Sequence, residues 1–223
     1  MATIIDRALE LVPANGRIGL GSGRAAHEFA QALGARLRSG FAIECAVATS
    51  KETEELAASL GIPLASLAAI DSLDVTFDGA DEADPNLDLI KGYGRALVRE
   101  KVVAASSRLL VILVGEEKLV PALGARGRLP IEVVPFALPY CQRRLTSLGL
   151  KPKPDVRDGE LFVTDNGNRI LDCHVAAIAN PEQLEAMLRS IPGIVGTGLF
   201  LKMASVVLVG SGPTMELKTE LRR

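Results

Sequence analysis

Apolar positions along the first half of the chain follow two alternating rhythms. Short, nearly unbroken apolar runs at Arg17 to Leu20, Ala42 to Ala48, Leu73 to Phe77 and Leu109 to Val114 predict β-strands. Between them, apolar residues return every three or four positions, which predicts helices at Ile4 to Leu11, Ala25 to Arg38, Lys51 to Leu60 and Ala96 to Ser106. Strand and helix in regular alternation predict an α/β fold with a parallel sheet covered by helices.

After Arg126-Gly127-Arg128-Leu129-Pro130 the rhythm changes. Prolines at 130, 135, 139, 152 and 154 punctuate the chain and mark a boundary. Beyond it, LFVTDNGNRILD places Asn166-Gly167 between two strand-like runs, a hairpin signal. A helix at Pro181 to Ser190 and a strand at Gly193 to Phe200 complete a smaller α+β unit. The apolar run Ser205 to Gly210 is one more strand, able to return to the first sheet. The expected division is residues 1–128 plus 201–223 for the main domain and 129–200 for the smaller one.

Composition narrows the class without choosing a function. A chain of 223 residues, 48% hydrophobic and 23% charged, can bury a sizeable core and is not of disordered composition. A net charge of -2 with scattered basic residues gives no electrostatic case for nucleic acid or an anionic membrane as partner. Cys45, Cys141 and Cys173 are odd in number and far apart, which fits buried thiols in a reducing cytoplasm better than a disulfide framework. The first residues carry Asp6 and Glu10 among their apolar positions, so neither a signal peptide nor a membrane span is expected.

Candidate chemistry collects at the carboxyl ends of the predicted strands, where loops of a parallel sheet converge on ligands. Four polar loops lie there: GSGRA, ATSKET, DGADEAD and GEEK. The first, around Gly21, Ser22, Gly23, Arg24 and Ala25, is glycine-rich and leads from strand to helix, so its backbone N–H groups suit a phosphate. Gly21-x-Gly23-x-x-Ala26 also meets a loose dinucleotide fingerprint, but the second strand ends in Ala48-Thr49-Ser50 without the acid that would grip a ribose. The third loop carries Asp78, Asp81, Glu82 and Asp84, which suits a divalent cation, paired acid–base work or a plain solvated turn. In the helix that follows, Ala96, Leu97, Glu100, Val103 and Ala104 share one face. Glu100 thus lies within an apolar stripe, where a carboxylate must be paired, protonated or working. Burial would raise its pKa toward neutrality, as a general base requires, whereas a structural ion pair with Lys91 is the alternative.

The stretch DGADEADPNLDLIKGYGRALVREK resembles the signature of A-type ribose-5-phosphate isomerases, approximately DGADE, a spacer and IKGGGGALxREK. The resemblance continues in GLGSGRAAHEF, ATSKET, LPIEVVPFA, TDNGNRILD and the GLF at Gly198 to Phe200. It implies a Rossmann-like main domain with an inserted smaller α+β domain. It also implies interconversion of D-ribose 5-phosphate and D-ribulose 5-phosphate through an enediolate, a step of the non-oxidative pentose phosphate pathway, without metal or other cofactor. Position by position, it makes Glu100 the proton-shuttling base and Asp78 and Asp81 the aspartates that open the sugar ring and handle hydroxyl protons. Lys91 becomes the stabiliser of charge on a substrate oxygen. The implied substrate-binding residues are Ser22, Gly23, Arg24, Ala25, Gly79, Ala80, Gly92, Tyr93, Gly94 and Lys118. A cytoplasmic homodimer or homotetramer belongs to the same expectation.

Two departures bear on the substrate. Ser22-Gly23-Arg24-Ala25 stands where the family has a TGST-like loop, losing two hydroxyls and gaining a guanidinium that can take a phosphate bidentately or point to solvent. Tyr93 stands where the family has glycine. Two other readings compete: a non-catalytic sugar-phosphate sensor, and a transferase acting on coenzyme A thioesters in a similar fold. Retention of Glu100, Lys91 and both aspartates favours the isomerase.

Overall fold

The structure is a computed structural model and describes residues 2–212 and 214–223. In chain order the elements are α1 (Ile4–Glu10), β1 (Arg17–Leu20), α2 (Arg24–Arg38), β2 (Cys45–Ala48), α3 (Lys51–Ser59), β3 (Leu73–Gly79), β4 (Glu82–Ala83), β5 (Leu89–Ile90), α4 (Leu97–Ala105), β6 (Ser107–Gly115) and β7 (Arg128–Val133). There follow α5 (Leu138–Ser147), β8 (Lys151–Pro154), β9 (Val156–Arg157), β10 (Glu160–Leu161), β11 (Arg169–His174), α6 (Pro181–Arg189), β12 (Ile194–Thr197), β13 (Leu199–Phe200), β14 (Val206–Ser211) and β15 (Glu216–Arg222). They fall into two compact units, Met1–Ala80 with Arg99–Lys118 and Lys202–Arg223, and Asp81–Val98 with Leu119–Leu201.

The first unit is built on a six-stranded sheet in the order β15-β14-β6-β3-β1-β2. The pairs β1–β2, β1–β3, β3–β6 and β6–β14 are parallel, so the carboxyl ends of these strands share one edge. Both faces of the central strands are covered, hence the continuous burial of Leu110 to Val114 and of Val206 to Val209. Phe29 of α2 stacks on Phe77 of β3 with ring centroids 4.2 Å apart, at the middle of a core that includes Ile18, Leu20, Leu33, Val111 and Leu208. Helix starts are marked by side chains that take up free backbone N–H groups: Thr3 and Asp6 form a reciprocal capping box on α1, and Ser50 accepts from the Thr53 amide on α3. The apolar run at 205–210 does return to this sheet beside β6, and β15 then folds back antiparallel to it.

The second unit holds a four-stranded sheet in the order β12-β7-β11-β8, a three-stranded sheet in the order β13-β5-β4 and the short β9–β10 ladder. Leu129, Ile131, Val133, Leu171, Cys173, Cys141, Leu145 and Leu188 form its core. Two local expectations differ from the structure. The predicted strand at 193–200 is two strands: β12 pairs with β7, and β13 pairs with β5. Gly198 permits the switch because its N–H donates to the Pro130 carbonyl at 2.8 Å while its own carbonyl accepts from the Lys91 amide at 2.9 Å. A Cβ there would lie 2.5 Å from the Lys91 carbonyl oxygen.

The runs flanking Asn166-Gly167 turn back on each other but do not form a hairpin ladder. β11 pairs with β7 and β8, while β10 pairs with β9. The turn is drawn instead to the fully buried Glu132 of β7, whose Oε1 accepts from Thr164 Oγ1 (3.0 Å), Asn166 Nδ2 (3.3 Å) and Asn168 Nδ2 (2.9 Å).

Candidate active site

At the end of β1 the chain passes so close to β3 that Gly21 has no room for a side chain. A Cβ on Gly21 would lie 2.2 Å from Asp78 Cγ and 2.6 Å from Asp78 Cα. This close approach brings the Ser22 amide to Asp78 Oδ1 at 3.2 Å, and the Gly79 amide donates to the same oxygen at 2.7 Å. The Asp78 carboxylate, 1% exposed, is therefore oriented by backbone donors from the loop after β1 and from its own strand. Ser22 Oγ meets Thr49 Oγ1 at 2.7 Å, and Thr53 Oγ1 donates to the Gly21 carbonyl at 3.0 Å. ATSKET thus serves to hold GSGRA.

Gly23 is the N-cap of α2, with φ 84° and no side-chain cap. The amides that open this 15-residue helix are consequently left for a ligand or solvent, and Arg24, its first residue, projects exposed. Ala25 follows, half-buried. Lys118, also half-buried, ends the short 3-10 turn Glu116–Lys118 after β6.

Glu100 sits in α4, and the face inferred from periodicity is the buried face. Ala96, Leu97, Glu100, Val103 and Ala104 are exposed by 8%, 0%, 3%, 2% and 6%, whereas Val102 on the other side is 46% exposed. A carboxylate so enclosed is desolvated, the environment a carboxylate base requires.

The second unit carries the remaining matched residues. β5 ends at Ile90, and Lys91 follows it, 3% exposed, with its ammonium 5.5 Å from the Phe200 ring centroid. Gly92 to Arg95 form a turn closed by the Arg95 amide donating to the Gly92 carbonyl at 3.0 Å. Within that turn Gly94 is exposed, and the Tyr93 amide donates to Asp81 Oδ2 at 2.9 Å. The Tyr93 hydroxyl donates to the Arg128 carbonyl at 3.2 Å, and burial, with Asp81 and Glu82 nearby, pushes the phenol up to about 12, so it stays a donor.

The acidic stretch proves to be several separate devices. Asp78 ends β3 in the first unit, and Gly79 and Ala80 complete that unit's share. Glu82, fully buried, accepts from the Gly124 amide at 2.6 Å and the Arg126 amide at 2.8 Å, which makes it an anchor for a loop. Asp84 closes its own turn by accepting from the Asn86 and Asp88 amides, each at 2.9 Å. Neither role was legible as such, because a carboxylate that binds distant backbone leaves no periodic trace in the sequence.

Arg95 also escaped notice. It stands against the last glycine of the IKGGGGAL signature, has φ 73° and is only 7% exposed. An arginine in a run of glycines was itself the signal.

Residues 45–213 match the family described as ribose 5-phosphate isomerase A (phosphoriboisomerase A). A curated relative named ribose-5-phosphate isomerase A from Roseiflexus castenholzii is 49% identical over 93% of this chain and 89% of its own length. One from Bacillus mycoides is 48% identical over 87% of each. Among solved structures, ribose 5-phosphate isomerase from Plasmodium falciparum superposes with a TM-score of 0.93 at 36% identity, covering 99% of this chain and 96% of that one. A D-ribose-5-phosphate isomerase solved in complex with phospho-erythronic acid gives 0.92 at 35% identity, with both chains covered completely. Sequence and fold agree over nearly the whole length, and the chain belongs to the ribose 5-phosphate isomerase A family of enzymes.

Proposed function

We propose that the chain interconverts D-ribose 5-phosphate and D-ribulose 5-phosphate through an enediolate, with Glu100 as the base. The observation that carries this reading is a carboxylate 3% exposed on the apolar face of α4, at the position the signature gives to a proton shuttle. In the forward direction Glu100 takes the proton from C2 of the open-chain aldose. The electron pair left behind forms the C1=C2 bond, and the former aldehyde oxygen becomes an enediolate oxygen. Glu100 returns the proton to C1, the proton of the C2 hydroxyl passes to the C1 oxygen, and the ketone forms beside a C1 hydroxyl. No electron leaves the substrate, so every step is one that carboxylates and an ammonium can serve.

Lys91 stabilises the enediolate oxygen, since a desolvated ammonium acts strongly on charge that develops beside it. Asp81, held by the Tyr93 amide, and Asp78, held by the Ser22 and Gly79 amides, pass hydroxyl protons and assist ring opening. The Ser22–Ala25 segment at the start of α2 takes the phosphate on open backbone amides, with Arg24 and Lys118 as counter-charges. Gly79, Ala80, Gly92, Tyr93 and Gly94 line the substrate with backbone and ring. Phospho-erythronic acid, bound by a relative, supports the reading because its planar carboxylate presents two oxygens and a negative charge much as the C1 and C2 oxygens of a planar enediolate do.

The same reading carries a cytoplasmic homodimer or homotetramer. Phe136, 97% exposed, is the kind of side chain such an interface would cover. The test is conversion of D-ribose 5-phosphate by purified protein with and without EDTA. Turnover that EDTA leaves intact is expected, and a folded protein that produces no ribulose 5-phosphate would overturn the proposal.

A further inference from the structure

The turn after Lys91 carries two side chains where the family signature has glycines, and both reach into the same charged group of the second unit. Arg95 meets Asp172 of β11 with both terminal nitrogens, Nη1 to Oδ1 at 2.8 Å and Nη2 to Oδ2 at 2.9 Å. Its Nε lies 2.9 Å from Asp155 Oδ2, an ion pair too bent to count as a hydrogen bond. Arg128 of β7 shares the same carboxylate, Nη2 to Asp172 Oδ2 at 2.6 Å. Its guanidinium also covers the Tyr93 ring at 4.7 Å, and its carbonyl accepts from the Tyr93 hydroxyl at 3.2 Å. The four-stranded sheet therefore grips residues 93 and 95 through Arg128 and Asp172, joined by Asp155 just past the end of β8.

Glycine is the residue least able to hold a turn in one conformation, because it has the most conformational freedom to lose. Arg95 instead adopts φ 73°, a region uncommon for a residue with a Cβ, and the paired planar contact with Asp172 is what holds it there. The beneficiaries of a fixed turn are its two neighbours. Lys91 immediately precedes it, and Asp81 receives its hydrogen bond from the Tyr93 amide inside it.

We propose that Tyr93 and Arg95 are positioning residues, fastened to Asp172, Arg128 and Asp155, that fix the Gly92–Arg95 turn and so set Lys91 and Asp81 for the reaction. The inference rests on the roles proposed above for Lys91 and Asp81. A group displaced by about 1 Å costs up to a hundredfold in rate, so a turn released to move matters for kcat more than for binding.

The variant that restores the signature, Arg95→Gly, suits the backbone at φ 73° and is the first test. Asp172→Asn, which keeps the shape and removes the charge, is the second. Amide hydrogen exchange at residues 92–96 is expected to rise at least about fivefold in both. Turnover of D-ribose 5-phosphate is expected to fall roughly tenfold in kcat with KM changed less than about threefold. A merely structural role would add its loss to any other. A positioning role predicts that Arg95→Gly costs less than about threefold further when introduced into a Lys91→Ala, Asp81→Asn double variant, because both groups it positions are already gone. Unchanged exchange at 92–96 overturns the brace whatever the activity. Raised exchange with wild-type kcat, or a loss undiminished in the Lys91→Ala, Asp81→Asn double variant, overturns its part in catalysis. Wild-type protein without turnover would instead defeat the isomerase reading on which that part rests, a result distinct from unchanged exchange.

Discussion

Replacing Gly21 by alanine adds one methyl group just past the end of β1, hard against Asp78 of β3, and its cost can be worked from the distances. The new Cβ would stand 2.2 Å from Asp78 Cγ and Oδ1 and 2.6 Å from Asp78 Cα. Carbon atoms in ordinary contact lie at about 3.5–4.0 Å, so the carboxylate must move by more than about 1 Å, and the backbone of β3 by nearly as much. Overpacking of this kind costs about 1–3 kcal/mol. Moving the carboxylate also breaks the Ser22 and Gly79 contacts to Oδ1, and hydrogen bonds to a charged group are worth about 1.5–3 kcal/mol each. Relaxation will recover part of that, so the expected destabilisation is about 3 kcal/mol, read as a shift of the urea midpoint at constant slope. With Asp78 in the proton-handling role proposed for it, turnover should fall by at least about tenfold when the carboxylate is displaced by an ångström. Gly23→Ala is the control: nothing lies within 4 Å of its Cβ, but φ 84° makes it a strained position. With ψ 178° the position lies in a region essentially reserved for glycine, so the change should cost about 1–3 kcal/mol through backbone strain without pressing on Asp78. A Gly21→Ala protein with the wild-type urea midpoint and wild-type turnover would refute the claim that this approach sets Asp78.

Other consequences are independent of that contact. Arg24→Ala should raise KM for D-ribose 5-phosphate roughly tenfold while leaving kcat within about twofold, as expected of a group that holds substrate and transition state alike; unchanged KM would mean that the backbone amides of α2 suffice. Burial alone would raise the pKa of Asp172, but the hydrogen bonds and charges of Arg95 and Arg128 outweigh it and hold the carboxyl below its usual range. A depressed carboxylate contributes stability that is fully present above its unfolded pKa of about 3.9 and is lost as pH falls through the folded value. Asp172→Asn should therefore be less stable than wild type by about 2 kcal/mol at pH 5–7, with the gap closing only below about pH 4. A gap that closes between pH 5 and 7 would contradict the ion pairing described.

Periodicity revealed the first sheet because strands buried on both faces must be apolar throughout, and β1, β2, β3 and β6 lie where such runs stand. The face of α4 was legible for the same reason, down to Glu100 as its buried acid. The second unit was less so. Gly198 divides one apparent strand between two sheets, and a change of sheet leaves the apolar pattern unbroken. Asn166-Gly167 promised a hairpin, but Glu132, distant in sequence, collects the polar side chains of that turn. The final strand β15, ELKTELR, is largely half-buried and charged, so it lacks an apolar run. At the site, chain order brought out the acids and Lys91, whereas the division of labour among Asp78, Glu82 and Asp84 depends on backbone donors that only the fold assembles.

The central claim is that Glu100 moves the proton, and the most direct test is the turnover of Glu100→Gln. The amide keeps the size and shape of the carboxylate, so the fold and the binding of phospho-erythronic acid should survive. A positioned base contributes about a hundredfold to ten-thousandfold, and kcat is expected to fall by at least about a hundredfold. Turnover within a few fold of wild type in that variant would contradict the account.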